Sequence, residues 1–214
     1  ERNIGLMGFS LVTPHTFPKS PQIDYRTPSE SDLRWSVYSY LAYGAQGIWY
    51  YNWRIDNNGP FGDALVDFKT GEPTPTYALV AALNQEILTI GPALMKLRSK
   101  AVYHTGAQVP PGTTRYAPDR ILGVERWAGD DFILGVFGNQ DNTRDRDLYL
   151  MVVNKRHGPG ATSASLAARA EFTPAPPLPA VHGYDPDSGR SVPLVRTKEG
   201  RVALELGGGQ GVLL

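Results

Sequence analysis

The sequence predicts an α/β segment followed by an all-β segment, and three observations carry that reading. Up to about residue 105, apolar strand-like runs alternate with helical stripes. Beyond it, short strands recur between turn residues at the spacing of an antiparallel β-sandwich. The chain has 214 residues, 41% hydrophobic and 20% charged, which suits one large globular domain or two small ones. The two parts are taken as residues 1–105 and 106–214.

The first part reads as strand, helix, strand, helix. Ile4 to Val12 is a short continuous apolar run, the pattern of a strand buried on both faces. A loop with Pro14, Pro18 and Pro21 follows. Thr27-Pro28-Ser29-Glu30 then predicts a helix start, with Thr27 as cap, Pro28 in the first helical position and Glu30 three residues after the cap. Leu33, Val37, Tyr40 and Leu41 make its apolar stripe, and Gly44 marks its end. Gly47 to Trp53 is dense in strand-forming residues. A loop rich in Asp, Asn and Gly fills 54–73. Thr74-Pro75 opens a second helix, with Tyr77, Val80, Ala81, Asn84, Ile87 and Leu88 on one stripe. Gly91-Pro92 is expected to interrupt it, leaving Ala93 to Arg98 as a further short helical piece. This order implies parallel strands joined by helical crossovers.

In the second part, Val109-Pro110-Pro111-Gly112 reads as a linker or exposed loop. Strands are expected at Ile121–Ala128, Phe132–Phe137, Leu148–Asn154, Ser163–Phe172, Leu178–Tyr184, Ser191–Arg196 and Arg201–Leu206. Asp187-Ser188-Gly189 and Lys198-Glu199-Gly200 supply turns between them. Gly207-Gly208-Gly209 lacks the Lys-Ser/Thr of a phosphate loop and reads as a turn or bulge before a last strand.

Composition excludes several classes of function. Lys+Arg and Asp+Glu are both 21, and the arginines at 115, 120, 126, 144, 146 and 156 are interspersed with acids, so no nucleic-acid partner is expected. No run of about 18 apolar residues exists, so no membrane-spanning helix is expected. The absence of cysteine removes disulfides, thiolate metal sites and a cysteine nucleophile. His15, His104, His157 and His182 have no metal-ligand spacing, and Ser10 lies in no Gly-x-Ser-x-Gly elbow. No cofactor and no metal are called for. Glu1 at the start, with no leader pattern, suggests a processed chain or a fragment.

Two parallel strands do not make a stable α/β domain, because parallel sheets need both faces covered and usually several strands. The first part is therefore expected to be completed by another segment or chain.

Three segments carry a resemblance. Leu33 to Tyr51, with Ala42-Tyr43-Gly44-Ala45-Gln46-Gly47 at its centre, resembles the helix and last strand that end glycoside hydrolase (β/α)8 barrels of the β-galactosidase-like kind. Leu65 to Tyr77, with Gly71-Glu72-Pro73-Thr74-Pro75-Thr76-Tyr77, is similar to the loop that opens the family's final helix, and Gly91 to Arg98 to the close of that helix. The resemblance implies the last two βα units of a TIM-like barrel, followed by an antiparallel β-sandwich. It implies a hydrolase acting on oligo- or polysaccharide through two carboxylates, at the C-terminal ends of the strands. Many members carry the nucleophile at the end of the seventh strand. Here Phe9-Ser10-Leu11-Val12-Thr13 stands there without Glu or Asp, so the main catalytic carboxylates are expected outside this chain.

The candidate substrate-binding residues follow from those strand ends. Trp49, Tyr51 and Trp53 are expected on one face of the strand and Tyr50 and Asn52 on the other. Aromatic rings suit the apolar faces of sugars but also suit a barrel core. Core is the first reading for Trp49, while the two readings stand level for Trp53. Asn52 fits a sugar hydroxyl or a strand-end cap. His15 lies just beyond a strand end. Asp56 is a candidate sugar-binding acid or a solvated loop carboxylate. Asp56-Asn57-Asn58-Gly59 lacks the alternating ligands and closing Glu of a calcium loop. Two other functions stay open: a carbohydrate-binding protein that cleaves nothing, and a structural accessory domain that buttresses a barrel.

Overall fold

In the computed structural model, residues 5–17, 23–118, 120–121, 123–140, 148–176 and 180–214 are described. Glu1, Ile4, Pro18, Pro21, Arg144, Arg146 and Leu178, named above, lie outside them.

The described residues are mostly β, with two α-helices. The first strand, β1 (Leu6–Leu11), is followed by a small hairpin of β2 (His15–Phe17) and β3 (Ile23–Tyr25). Helix α1 (Glu30–Ala42) then leads into β4 (Ala45–Tyr51), which pairs with β1 in parallel, as the strand–helix–strand order implied. Helix α2 (Pro75–Leu94) follows. Two sheets are built from the rest. The larger comprises β5 (Leu97–His104), β6 (Thr114–Arg115), β8 (Phe132–Asn139), β9 (Tyr149–Asn154) and β14 (Gly211–Leu213), in the order β14-β9-β8-β5-β6. The smaller comprises β7 (Val124–Ala128), β10 (Ala168–Pro174) and β13 (Val202–Leu206), in the order β13-β10-β7. A short hairpin of β11 (His182–Tyr184) and β12 (Ser191–Pro193) lies beside them. Pairing within the two large sheets is antiparallel except between β5 and β6.

The five-stranded sheet is the central layer, and β8 and β9 show why. Their even-numbered residues Phe132, Leu134, Val136, Leu150 and Val152 pack toward the three-stranded sheet, against Ala170, Phe172, Val202 and Leu204. Their odd-numbered residues Ile133, Phe137, Met151 and Val153 pack on the opposite side, against Leu33, Val37 and Leu41 of α1 and Leu83 and Ile90 of α2. A strand covered on both faces needs apolar residues at every position, and β8 is buried along almost its whole length. The helices of the first half thus share a core with the sheet of the second. An Arg34–Glu86 pair, with two hydrogen bonds at 2.8 and 2.7 Å, ties α1 to α2, and the Tyr38 hydroxyl donates to the same carboxylate at 3.0 Å. Burial lowers the Arg34 pKa, but the hydrogen bonds and charge of Glu86 outweigh it and leave the guanidinium above its ordinary value.

Several expectations are corrected. The cap of α1 is Ser29, not Thr27: the Ser29 hydroxyl accepts from the Asp32 amide at 3.2 Å and Asp32 accepts from the Ser29 amide at 2.8 Å. Arg26 also bonds the Asp32 carboxylate. Helix α2 runs through Gly91-Pro92. Pro92 and Leu88, whose carbonyl loses its helical partner to the proline, are both exposed, so water can serve that carbonyl. The segment read as helical from Ala93 to Arg98 instead turns into β5 at Leu97, because pairing with β8 decides its conformation. Ser163–Phe172 splits into a 3-10 turn (Ala164–Leu166) and β10. The buried side of α2 is Thr76, Val80, Leu83 and Ile90, whereas Ala81 and Leu88 face solvent. β1 does not have the two buried faces expected of it, since Met7 and Phe9 are exposed.

Two expected stops hold. Gly44 follows α1 at φ +88°, a conformation that favours glycine. Gly207 to Gly209 form the turn before β14, where a Cβ on Gly209 (φ +71°) would lie 2.3 Å from the Ser31 carbonyl oxygen.

Candidate functional site

The parallel pair has two unlike faces. Gly8 and Ile48 meet across the pair on the side of α1, where Gly8 abuts the Tyr40 ring and the Tyr40 hydroxyl donates to the Phe9 carbonyl at 2.9 Å. Tyr50 lies on this side too and donates to Asn84 Oδ1 of α2 at 2.7 Å; burial pushes its pKa up to about 12. On the other side Phe9 faces out at 52% exposure and its register partner Trp49 at 64%. Phe9 meets the Tyr51 ring and lines a cleft with Trp35, yet about half of Phe9 and most of Trp49 stay open to water among the described residues. The core reading of Trp49 is thus not met by packing among those residues.

The two strands finish together. The Val12 amide donates to the Tyr51 carbonyl at 2.8 Å, and the Asn52 amide donates to Thr13 Oγ1 at 3.3 Å. The Tyr51–Asn52 peptide is cis. The loop beyond folds back over these ends. Amides of Leu65 and Val66 donate to the carbonyls of Asn52 and Trp53, and Thr74 Oγ1 donates to the Ala64 carbonyl at 2.7 Å. The same loop clasps β2: Gly62 donates to the Pro14 carbonyl at 2.8 Å and Thr16 to the Pro60 carbonyl at 2.9 Å.

That clasp assembles a set of rings at the strand ends. His15 stacks on Tyr25 with centroids 4.5 Å apart, and Phe17 and Phe61 each lie 5.5 Å from it. Phe17 meets Phe61 edge-on at 5.8 Å. Phe61 reaches Tyr51 at 6.1 Å, and Tyr51 reaches Phe9 at 5.8 Å. A cleft of about 840 Å³ lies between β2 and residues 59–62. Its size falls in the range of about 300–1,000 Å³ typical of ligand sites.

Of the residues anticipated from sequence, His15 and Tyr51 belong to this ring cluster. Trp53 does not: the strand ends at Tyr51, so the alternation stops there, and the Trp53 ring packs edge-on to Tyr77 of α2 at 5.9 Å. It lines a separate cleft of about 330 Å³ with Tyr50, Leu65 and Asn84. Asn52 Oδ1 accepts from the Arg54 amide at 2.8 Å, which closes a turn. Asp56 is exposed and accepts from Asn58 in its own turn, at 2.9 Å from the amide. Sequence reasoning missed Phe17, Tyr25 and Phe61. The alternation His15-x-Phe17 was an available signal for the first, but Phe61 sits in a Gly-Pro-Phe-Gly stretch whose contact with β2 is purely tertiary.

Carboxylates are scarce here. Asp24 accepts from Thr16 Oγ1 at 2.9 Å. Asp32 lines a neighbouring cleft of about 640 Å³ beside β1 and α1, with Phe9, Trp35 and Tyr40. Burial raises its pKa, but hydrogen bonds from Arg26 and Ser29 outweigh that and hold it below the ordinary range. That describes a structural carboxylate, not a proton donor. Among the described residues, no group of three or more His, Asp or Glu side chains comes together to hold a metal. No helix among them is long and apolar enough to cross a membrane.

The chain matches no protein-family model, and no curated protein or solved structure matches it.

Proposed function

We propose that this chain is the closing portion of a glycoside hydrolase, contributing two βα units of a TIM-like barrel and the trailing β-sandwich. Its substrate is an oligo- or polysaccharide. The observation that carries the reading is the uncovered face of the β1–β4 pair, Phe9 and Trp49, which leads into an aromatic cluster at the strand ends. Large apolar rings left in water on one face of a two-stranded parallel sheet call for further strands. In a closed barrel these rings become the packed interior, while the cluster of Tyr51, Phe61 and His15 stays at the mouth, where such enzymes bind substrate. The strand ends offer Ser10 and Thr13 and no acid, so the catalytic carboxylates come from the completing segment or chain.

The test compares residues 1–214 alone with the native assembly that completes the parallel sheet. Aryl glycosides and reducing-end release from polysaccharides are the assays. The isolated chain is expected to be inactive and the assembly active. An assembly that closes the sheet, presents paired carboxylates and still cleaves no glycoside would sink the proposal.

A second reading, sugar binding without cleavage, is favoured by one observation. Among the described residues, no Asp or Glu side chain lines the 840 Å³ cleft.

A further inference from the structure

We infer that Asn58 is a site of spontaneous modification, converting to aspartate and isoaspartate through a cyclic imide, and that the conversion loosens the clasp of residues 59–62 on β2. The inference is independent of the hydrolase reading. Asn58-Gly59 is the one Asn-Gly step in the sequence. Glycine has no Cβ to shield its own amide nitrogen and reaches conformations that other residues avoid. Both residues lie exposed, at a turn. Apart from its chain neighbours, a Cβ added to Gly59 would meet no atom within 4 Å among the described residues, and no described group accepts from the Gly59 amide. Asn57 differs on each count: it is half-buried, donates to Asp63 at 2.8 Å and precedes an asparagine. Asn154 is buried and donates to the carbonyls of Leu166, Leu206 and Gly207.

The step needs only base and water. The Gly59 amide nitrogen gives up its proton and attacks Asn58 Cγ. The bond from Cγ to Nδ2 breaks, and Nδ2 leaves as ammonia with a proton returned by solvent. Water then opens the imide at either carbonyl, giving aspartate or, with the main chain routed through Cγ, isoaspartate. To react, Asn58 must first release Asp56, whose Oδ1 accepts from its amide at 2.9 Å and from its Nδ2 at 2.6 Å. Both bonds lie at the surface, where water replaces them at small cost. Afterwards Asp56 faces a carboxylate instead of a donor, with Asp63 held by Asn57 in the same loop. Isoaspartate also adds a methylene to the main chain. Just beyond, Pro60 and Gly62 bond Thr16 and Pro14 at 2.9 and 2.8 Å and so seat Phe61 against His15. Repulsion among the acids and the longer main chain pull against those two bonds.

The test is a time course of purified residues 1–214 at mildly alkaline pH, read by peptide mass mapping and by methyl transfer from an isoaspartyl methyltransferase. Amide loss should appear at Asn58 before any other asparagine and should slow in mildly acidic buffer. It should fall about tenfold in Gly59→Ala, a position whose φ is outside the left-handed region and accepts alanine. Hydrogen exchange at the Thr16 and Gly62 amides, compared between modified and fresh molecules, reads the clasp, and both amides should lose protection in the modified ones. Asn58 staying intact, another asparagine converting first, or a rate indifferent to Gly59→Ala overturns the site. Thr16 and Gly62 equally protected before and after conversion overturns the loosening.

Discussion

The contact between α1 and the central sheet hinges on Gly135 in the middle of β8. A Cβ placed there would lie 2.3 Å from the Ala42 carbonyl oxygen, 2.9 Å from its carbon and 3.0 Å from its Cα. All three atoms are backbone at the last turn of α1, so no side chain can rotate away. Either the helix end lifts from the sheet or β8 bends, and both disturb the core formed by Leu41, Phe137 and Met151. Overpacking of this kind costs about 1–3 kcal/mol. Gly135→Ala is therefore expected to lower stability by about 2 kcal/mol. With a urea slope of about 2 kcal/mol/M, the unfolding midpoint falls by about 1 M. The same chemical change at Gly91 should cost far less. Gly91 is helical without a positive φ, and apart from its chain neighbours and its own helix backbone a Cβ added to it meets no atom within 4 Å. Alanine there restricts the unfolded chain by about 0.5–1 kcal/mol, which offsets the crowding of its Cβ against the Pro92 ring, so the midpoint should stay within about 0.3 M of the parent. Urea unfolding followed by tryptophan fluorescence reads both variants. Equal midpoints for Gly135→Ala and the parent would refute the idea that α1 is seated directly on β8.

Glu86→Gln should cost about 1.5–3 kcal/mol, because it weakens charge-assisted hydrogen bonds to the largely buried Arg34 and removes the carboxylate that accepts from Tyr38; the urea midpoint measures it. His104 is buried, with Nε2 2.8 Å from the Tyr43 hydroxyl and no partner on Nδ1 among the described residues, and burial together with the Lys155 charge holds its pKa below the usual imidazole value. The unfolded chain then takes up a proton near pH 6.5 that the folded one resists, so stability falls as pH drops below about 6.5 toward the folded pKa. Urea midpoints between about pH 5 and 7.5 should show this slope, and His104→Phe should flatten it. Tyr50 should ionise only near pH 12, so an ultraviolet titration of Tyr50→Phe should lose a late-ionising tyrosine relative to the parent. The same variant leaves Asn84 Oδ1 without its donor and should cost about 1 kcal/mol.

Local signals are legible where the physics is local. Thr74-Pro75 opens α2 because proline suits the first turn, and Gly44 ends α1 because its φ is positive. The apolar alternation of β10 and β13, buried at every second residue, reports a strand with one face inward. Errors arise where a distant partner decides. Arg98-Ser99-Lys100 has no strong strand preference, yet β8 captures it as β5. Ser29 rather than Thr27 caps α1, and the choice is reinforced from afar, since the Ser29 hydroxyl also donates to the Gly158 carbonyl at 2.8 Å.

The sequence by itself determined the strand and helix signals of β1, α1, β4 and α2 and the want of an acid at the end of β1, since each depends on residues close together along the chain, and the parallel relation of β1 and β4 followed from the helical crossover between them. Tertiary structure alone decided which rings meet. His15, Tyr25, Phe61 and Tyr51 are spread over dozens of positions and converge because residues 59–62 hydrogen-bond to Pro14 and Thr16. Trp53, next but one to Tyr51, leaves for α2 because the strand that would have aligned the two has already ended.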